Sequence, residues 1–234
     1  MSMRFQVRQY LSRLTWLEWT ILALFGYFFV VMEPMMLARM GILMASVVIH
    51  EVAHGWVAYR CGDTTAKNQG RLKLNPLVHL DPIGSVFLPI ILVLSGSPFL
   101  FGWAKPVPVN IGQLNDPQSD MVKVAIAGPL SNITLAVGLS ILIKWCLATA
   151  MVGLWVPLLQ YGVMINVVLA VFNMIPIPPM DGSRVLYRFL PIAGRWFLDK
   201  IEPYGMWIII VLAFFNMFDV VLKTVSIPLI KLLL

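Results

Sequence analysis

Residues 47–59 read "VVIHEVAHGWVAY", a stretch that sets two histidines and a glutamate among apolar side chains. On a helix, His50 and His54 lie four positions apart and project from the same face, one turn from each other. Glu51 flanks that face, where its carboxylate can reach a metal-bound water without occupying a coordination position. Ionisable groups inside a membrane span cost about 2.5–3.5 kcal/mol each on insertion scales. Three at this spacing therefore predict a metal site rather than helix packing.

The composition is that of a membrane protein. Hydrophobic residues make up 59% and charged residues 12% of the 234 residues, whereas soluble domains average roughly 25% charged. We therefore expect an integral protein in contact with the lipid bilayer. The net charge of +6 does not indicate a nucleic-acid partner, because the basic residues are scattered at the ends of apolar runs. Cys61 and Cys146 are too isolated for a disulfide framework.

The apolar runs set the number of spans. They cover residues 16–33, 35–59, 83–103, 121–147, 157–178 and 203–222. The third run carries Pro89 and a breaker cluster at 95–98, and each half is too short to cross a bilayer. The first run follows a basic N-terminus, as in a signal peptide, but the absence of a small-residue cleavage pattern favours a retained span.

These runs predict an all-α integral membrane protein with about five transmembrane helices, or six if the third run crosses. The segment near 83–103 is expected to be re-entrant, and short extended stretches are expected in the loops on the cytoplasmic side. The chain is expected to form a single polytopic domain over residues 1–234, with a metal core at approximately 35–190 and no separate soluble domain.

The distribution of basic residues supports the re-entrant interpretation. If the third run does not cross, thirteen of the 17 basic residues fall on one side, which the positive-inside rule assigns to the cytoplasm. These residues are Arg4, Arg8, Arg13, Arg60, Lys67, Arg71, Lys73, Lys105, Lys123, Arg184, Arg188, Arg195 and Lys200. If the run does cross, the charge bias disappears.

A catalytic zinc site needs a third protein ligand and an open position for water. The candidates are His79, Asp81 and Asp181. Asp181 follows three prolines and precedes a glycine at the inner end of the fifth run. With the third run re-entrant, Asp181 and His54 approach the same leaflet, so we predict Asp181 as the ligand and His79 as the second choice.

At these residues the sequence resembles the site-2 protease family of intramembrane zinc metalloproteases, in particular the small bacterial members without PDZ or CBS domains. The matching blocks are "HEVAHGWVAYRCGD", "GRLKLNPLVHLDPIGS", "GWAKPVPVN", "AGPLSN" and "NMIPIPPMDGSRVL", spread over residues 50–186. Together they are far more specific than the two histidines and the glutamate alone.

The resemblance implies a role for each matching residue. His50, His54 and Asp181 would bind one Zn²⁺ per chain, and Glu51 would activate the zinc-bound water. Asn173 would lie near the metal and donate to a developing oxyanion. Asn132 is a further candidate for lining the site; its alternative role is helix packing beside Gly128 and Pro129. His79 is another candidate for lining the site, and its alternative role is to hold a turn.

The expected function is that of an intramembrane zinc metalloendopeptidase, which cuts peptide bonds in or near transmembrane segments of membrane-protein substrates in regulated intramembrane proteolysis. We expect it in the bacterial inner membrane, with the mouth of the active site toward the cytoplasm. The alternative is a non-catalytic membrane binding or escort protein of the same fold that retains the metal. Glu51, both histidines and Asp181 are all present, which favours the enzyme.

A substrate helix must unwind before it is cut, because its peptide groups are hydrogen-bonded within the helix. Two stretches have the extended character needed to pair with an unwound strand. One is "AKPVPVN", residues 104–110, and the other is "GRLKLN", residues 70–75. Their alternative role is that of connecting loops at the membrane surface.

Overall fold

The computed structural model describes Thr15, Gly26 and residues 33–95 and 102–234. The α-helices in this part of the chain are α1 Pro34–Arg60, α2 Thr65–Asn68, α3 Leu88–Leu94, α4 Pro117–Ala148, α5 Trp155–Asn173, α6 Asp181–Phe189, α7 Ile192–Ile201, α8 Gly205–Phe214, α9 Phe218–Val221 and α10 Ile227–Leu233. Short 3-10 turns lie at Pro76–His79, Ile111–Gln113 and Glu202–Tyr204, and π-helical turns at Pro82–Phe87 and Leu222–Ser226. Among the described residues there is no strand, which confirms the all-α prediction.

Three of the described helices, α1, α4 and α5, are long and apolar enough to cross a membrane. A fourth span results if Ile192–Phe214 and Phe218–Leu233, which meet at a bend of 76°, are taken together. The predicted first span at 16–33 lies outside the described residues except for Gly26 and Glu33.

The segment predicted to be re-entrant begins as helix. Asp81 caps the π-helical turn through its Oδ1 atom, which accepts hydrogen bonds from the N–H groups of Ile83 at 3.1 Å and Gly84 at 2.7 Å. The helical part ends by Leu94, so it is roughly 20 Å long and too short to cross a hydrocarbon core of about 30 Å. Residues 96–101 lie outside the described part.

Contacts divide the chain into two compact units. Of the described residues, the first contains 33–37, 81–95 and 102–103, together with Thr15 and Gly26. The second contains 38–80 and 104–234, and includes His50, Glu51, His54 and Asp181.

Within the second unit, α4 packs along α5. Ala136 and Ile143 of α4 form a buried cluster with Val163 and Val167 of α5, and α10 covers this cluster on one side. Asp116 begins α4 by accepting a hydrogen bond from Ser119 N–H at 3.3 Å, as an N-cap residue does. This packing fixes the position of α4, whose residues Val124, Gly128 and Asn132 contact the candidate site.

A second cluster joins the end of α1 to the start of α4. Ala58 and Cys61 pack there against Leu114 and Val124. Asn115 N–H also donates to the carbonyl of Cys61 at 2.8 Å. The C-terminal end of α1 and the N-terminal end of α4 are therefore held side by side.

Candidate metal centre

Three side chains converge in the second unit. The Nε2 atoms of His50 and His54, both on α1, lie 3.0 Å apart. Oδ2 of Asp181, at the first position of α6, lies 3.2 Å from the first nitrogen and 3.3 Å from the second. Both histidines are buried. Among the described residues, these three form the cluster of His, Cys, Asp or Glu side chains that can hold a metal ion.

Hydrogen bonds on the far side of each ring decide which nitrogen faces the cluster. Nδ1 of His54 lies 2.6 Å from the carbonyl of Val124, which can only accept, so this nitrogen carries the proton. Nδ1 of His50 lies 2.6 Å from Oδ1 of Asn132, whose amide nitrogen donates to the carbonyl of Ser46 at 3.3 Å. Both rings therefore donate through Nδ1 and present an Nε2 lone pair to the cluster.

The donor set fits zinc. Two nitrogen lone pairs and a carboxylate oxygen face one another at 3.0–3.3 Å, an arrangement that is repulsive until a cation lies between them. Oδ2 of Asp181 is buried and has no hydrogen-bond partner among the described residues. Ligands about 2.0–2.1 Å from a tetrahedral Zn²⁺ lie about 3.3–3.4 Å from one another, close to the spacing found.

Gly128 of α4 forms one wall of the cluster. A Cβ atom at this position would lie 2.6 Å from Nε2 and Cε1 of His50, and it would also clash with Nε2 of His54. The absence of a side chain allows the backbone of α4 to approach the two rings while leaving room at the point where their lone pairs meet.

Asp181 reaches the cluster because of the turn that precedes α6. A Cβ on Gly182 would lie 2.7 Å from the carbonyl oxygen of Ile175 and would clash with the backbone of Met174. Glycine therefore lets the first turn of α6 pack directly on the chain leaving α5. Ser183 closes the turn, since its N–H and hydroxyl both donate to the Met180 carbonyl, at 3.0 and 2.6 Å.

Glu51 is held by the irregular segment formed by residues 104–110. Its Oε2 atom accepts a hydrogen bond from Val107 N–H at 2.8 Å. Nη2 of Arg71, a buried side chain, donates to the carbonyls of Lys105 at 2.8 Å and Pro106 at 3.1 Å. The carboxylate of Glu51, which follows His50 in the sequence, is thus oriented by a backbone group whose own position is fixed.

Asp63 anchors the other end of this segment. Its Oδ2 atom accepts from Asn110 N–H at 2.7 Å and its Oδ1 atom from Thr65 N–H at 2.8 Å. Burial acts to raise the pKa of Asp63, but the hydrogen bonds from Thr65 and Asn110 outweigh burial and lower the pKa from its ordinary value of 3.8. The carboxylate is therefore ionised near neutral pH.

Comparison with known proteins bears on the same residues. The sequence model of peptidase family M50 matches residues 38–149 and 142–216, which contain the two histidines, Glu51 and Asp181. The chain belongs to peptidase family M50. This confirms the resemblance to the site-2 proteases and shows that the protein is a membrane-embedded zinc metalloprotease with Zn²⁺ as its cofactor.

Two similar proteins carry the printed names "Putative zinc metalloprotease YwhC" and "Putative zinc metalloprotease Rip2". YwhC of Bacillus subtilis is 40% identical over 177 residues, which cover 73% of this chain and 77% of YwhC. Rip2 of Mycolicibacterium smegmatis is 30% identical over 167 residues, which cover 71% of this chain and 62% of Rip2. No solved structure matches the chain.

The remaining predicted site residues of this M50 protein differ in their surroundings. Asn132 is fully buried and contacts the ring of His50, as described above. Nδ2 of Asn173, at the last position of α5, donates to the Leu169 carbonyl at 2.9 Å on its own helix. His79 is buried outside the three-residue cluster, with Nε2 2.9 Å from the carbonyl of Lys73. Asp81 caps the π-helical turn and is also outside the cluster.

Sequence reasoning missed two polar residues that lie behind the candidate ligand His50. Ser46 on α1 and Asn166 on α5 are both buried and hydrogen-bonded to each other and to Asn132. The sequence did indicate a buried polar contact at Asn166, because this residue lies in the middle of an apolar run and a polar side chain inside a membrane span needs a hydrogen-bond partner.

Proposed function

We propose that this M50 protein cuts other membrane proteins within or near their transmembrane segments, with the active site open to the cytoplasmic side of a bacterial inner membrane. The observation that carries the proposal is the depth of the ligands within a membrane-spanning helix. His54 precedes the end of α1, at Arg60, by six residues, which corresponds to about 9 Å of helix. A centre at that depth suits a peptide bond at the edge of the hydrocarbon core.

His50, His54 and Asp181 are proposed to hold the zinc ion, which acts as a Lewis acid and makes water nucleophilic near neutral pH. Glu51 is proposed to take the proton from the attacking water and to pass it to the leaving amine nitrogen. The hydrogen bond from Val107 N–H occupies Oε2 of Glu51, so Oε1 is the oxygen that remains for the proton. The second N–H of Asn173, which does not donate to Leu169, is the proposed donor to the oxyanion.

The backbone donors of the two candidate stretches favour one of them for binding the unwound substrate. In residues 104–110, the N–H groups of Lys105, Val107 and Asn110 already donate within the protein, and the prolines have none. By contrast, the four N–H groups of residues 72–75 have no hydrogen-bond partner among the described residues. We therefore propose strand addition at residues 72–75, where the bend at Leu72 and Lys73 would straighten as the substrate strand pairs.

The test compares cells that express wild-type protein or Glu51→Gln at equal levels. The glutamine oxygen can still accept from Val107 N–H, so this variant preserves the local structure. Fragments of membrane proteins that end within a transmembrane segment are identified by mass spectrometry. We expect them only with wild type, because removing a general base lowers the rate roughly 10²–10⁴-fold, while the zinc content of purified Glu51→Gln stays at the wild-type value.

His50→Ala serves as the second arm and should contain no stoichiometric zinc. Identical fragment profiles for wild type and Glu51→Gln, with zinc bound to both, would instead support the non-catalytic binding protein. Wild-type zinc content in His50→Ala would show that the metal is held elsewhere.

A further inference from the structure

Behind the metal ligands, a chain of buried hydrogen bonds joins three membrane-spanning helices. Asn166 of α5 donates through Nδ2 to the carbonyl of Gly162 and to Oγ of Ser46, both at 2.9 Å. Its Oδ1 atom accepts from Nδ2 of Asn132, on α4, at 2.8 Å. Oδ1 of Asn132 then accepts from Nδ1 of His50, on α1, at 2.6 Å. Asn132, Asn166 and Ser46 are at most 3% exposed.

The donor and acceptor of every hydrogen bond in this network are fixed by the Gly162 carbonyl, at the end farthest from His50. The carbonyl of Gly162 can only accept, so the Asn166 atom facing it must be the amide nitrogen. Oδ1 of Asn166 then faces Asn132 and must receive a donor, which turns Nδ2 of Asn132 toward α5. Oδ1 of Asn132 is left facing His50 and can only accept from Nδ1–H.

Ser46 reinforces the same direction from α1. Its hydroxyl donates to the Ile42 carbonyl at 2.9 Å and so accepts from Asn166. Its backbone carbonyl accepts from Nδ2 of Asn132 at a longer distance, 3.3 Å. Without Asn166, Asn132 would keep only this longer bond as a restraint on its amide orientation.

We propose that Asn166 is a positioning residue of the metal centre. Acting through Asn132, it holds the proton of His50 on Nδ1 and the Nε2 lone pair toward the metal. Hydrogen bonds behind a metal ligand fix its tautomer and ring orientation, and their loss typically weakens metal binding by about 10–100-fold. The inference rests on the zinc centre proposed above.

The test measures the zinc dissociation constant of the full-length protein in detergent micelles by competition with a chelator. Asn166→Leu keeps the volume of the side chain and removes its hydrogen bonds, and we expect it to weaken zinc binding roughly tenfold. In an Asn132→Leu background the same change should have no further effect, because the path to His50 is already broken. Ser46→Ala removes only one acceptor and should weaken binding less, in the same direction.

Ser140→Ala is the matched control. Ser140 is also buried on α4, but its hydroxyl donates to the carbonyl of Leu233, outside this chain of bonds, so its zinc dissociation constant should equal that of wild type. The inference is overturned if Asn166→Leu binds zinc as wild type does, or if the effects of Asn166→Leu and Asn132→Leu multiply in full. Unchanged zinc binding in His50→Ala would instead overturn the proposed centre itself.

Discussion

At Gly128 the backbone of α4 lies against the rings of His50 and His54, the proposed zinc ligands, and no other residue type fits there without displacing a ring. Gly128→Ala should therefore abolish stoichiometric zinc binding, because the added methyl group would lie where the two Nε2 lone pairs meet. The rings cannot retreat easily, since each is tied through Nδ1 to α4. The measurement is zinc content per protein by mass spectrometry after purification.

Gly138→Ala provides the control on the same helix. A Cβ at Gly138 meets nothing within 4 Å, so this variant should bind zinc like wild type and gain up to about 1 kcal/mol of helix stability. Full zinc occupancy in Gly128→Ala would contradict the described geometry of the centre.

Individual site residues could be predicted from the sequence where they lie close together along the chain. His50 and His54 follow from helix geometry alone, because four residues make about one turn. Asp181 required a topological argument, since it is distant in sequence and meets the histidines only if the spans have the right parity. Asn166 could not be linked to His50, because the contact passes through Asn132 on a third helix and depends on packing that no spacing rule records.

Among the elements, residues 104–110 form an irregular segment that is held by buried charged side chains, Arg71 and Asp63, rather than by strand pairing. Asp63→Asn should loosen its end, since a single amide oxygen cannot replace both carboxylate oxygens that accept from Thr65 and Asn110. Both hydrogen bonds are partly buried, and losing a hydrogen bond to a charged acceptor costs about 1.5–3 kcal/mol, which corresponds to a decrease of several degrees in Tm at pH 7.

The pH dependence of this effect has a definite sign. The folded pKa of Asp63 lies below 3.8, so its stabilising contribution is complete above that value and is lost as the pH falls through the folded pKa. Thermal unfolding in detergent should show a Tm difference between wild type and Asp63→Asn that is constant from pH 7 to about 4.5 and shrinks in more acidic solution. A difference that grows on acidification would be inconsistent with an ionised Asp63.

Helix boundaries were predictable where proline or a capping residue marks them. The predicted run at 121–147 lies within Pro117–Ala148, and the run at 157–178 ends as helix at Asn173, shortly before Pro176. The run at 203–222 is interrupted instead, because Asn216 adopts a positive φ of 55° between α8 and α9. No proline or glycine marks that break, and the left-handed preference of asparagine was its single sequence signal.

For the whole molecule, the orientation of α4 gives a test of topology. Its 32 residues span about 48 Å, more than the hydrocarbon core of about 30 Å. The N-terminal end of α4 lies beside Cys61, which Gln69 follows in the sequence, and Val152 follows the C-terminal end of α4. Gln69 and Val152 should therefore be on opposite sides of the membrane. Both side chains are exposed.

Gln69→Cys should react with a membrane-impermeant maleimide only in inside-out vesicles, and Val152→Cys only in intact spheroplasts. The native Cys61 and Cys146 are buried, so background labelling should be low, and the unsubstituted protein provides that baseline. The reverse pattern would invert the proposed orientation, and labelling of both variants from one side would exclude α4 as a span.

The separation of the proposed metal ligands along the chain also has a consequence for biosynthesis. Asp181 lies 127 positions after His54, and ribosomes add roughly 5–20 residues per second. For about 6–25 seconds after the histidines are made, a nascent chain therefore lacks Asp181, the carboxylate proposed to complete the centre. During this interval the growing chain carries Glu51 but not the proposed third ligand, so we expect it to be inactive toward the other nascent chains that share its insertion machinery.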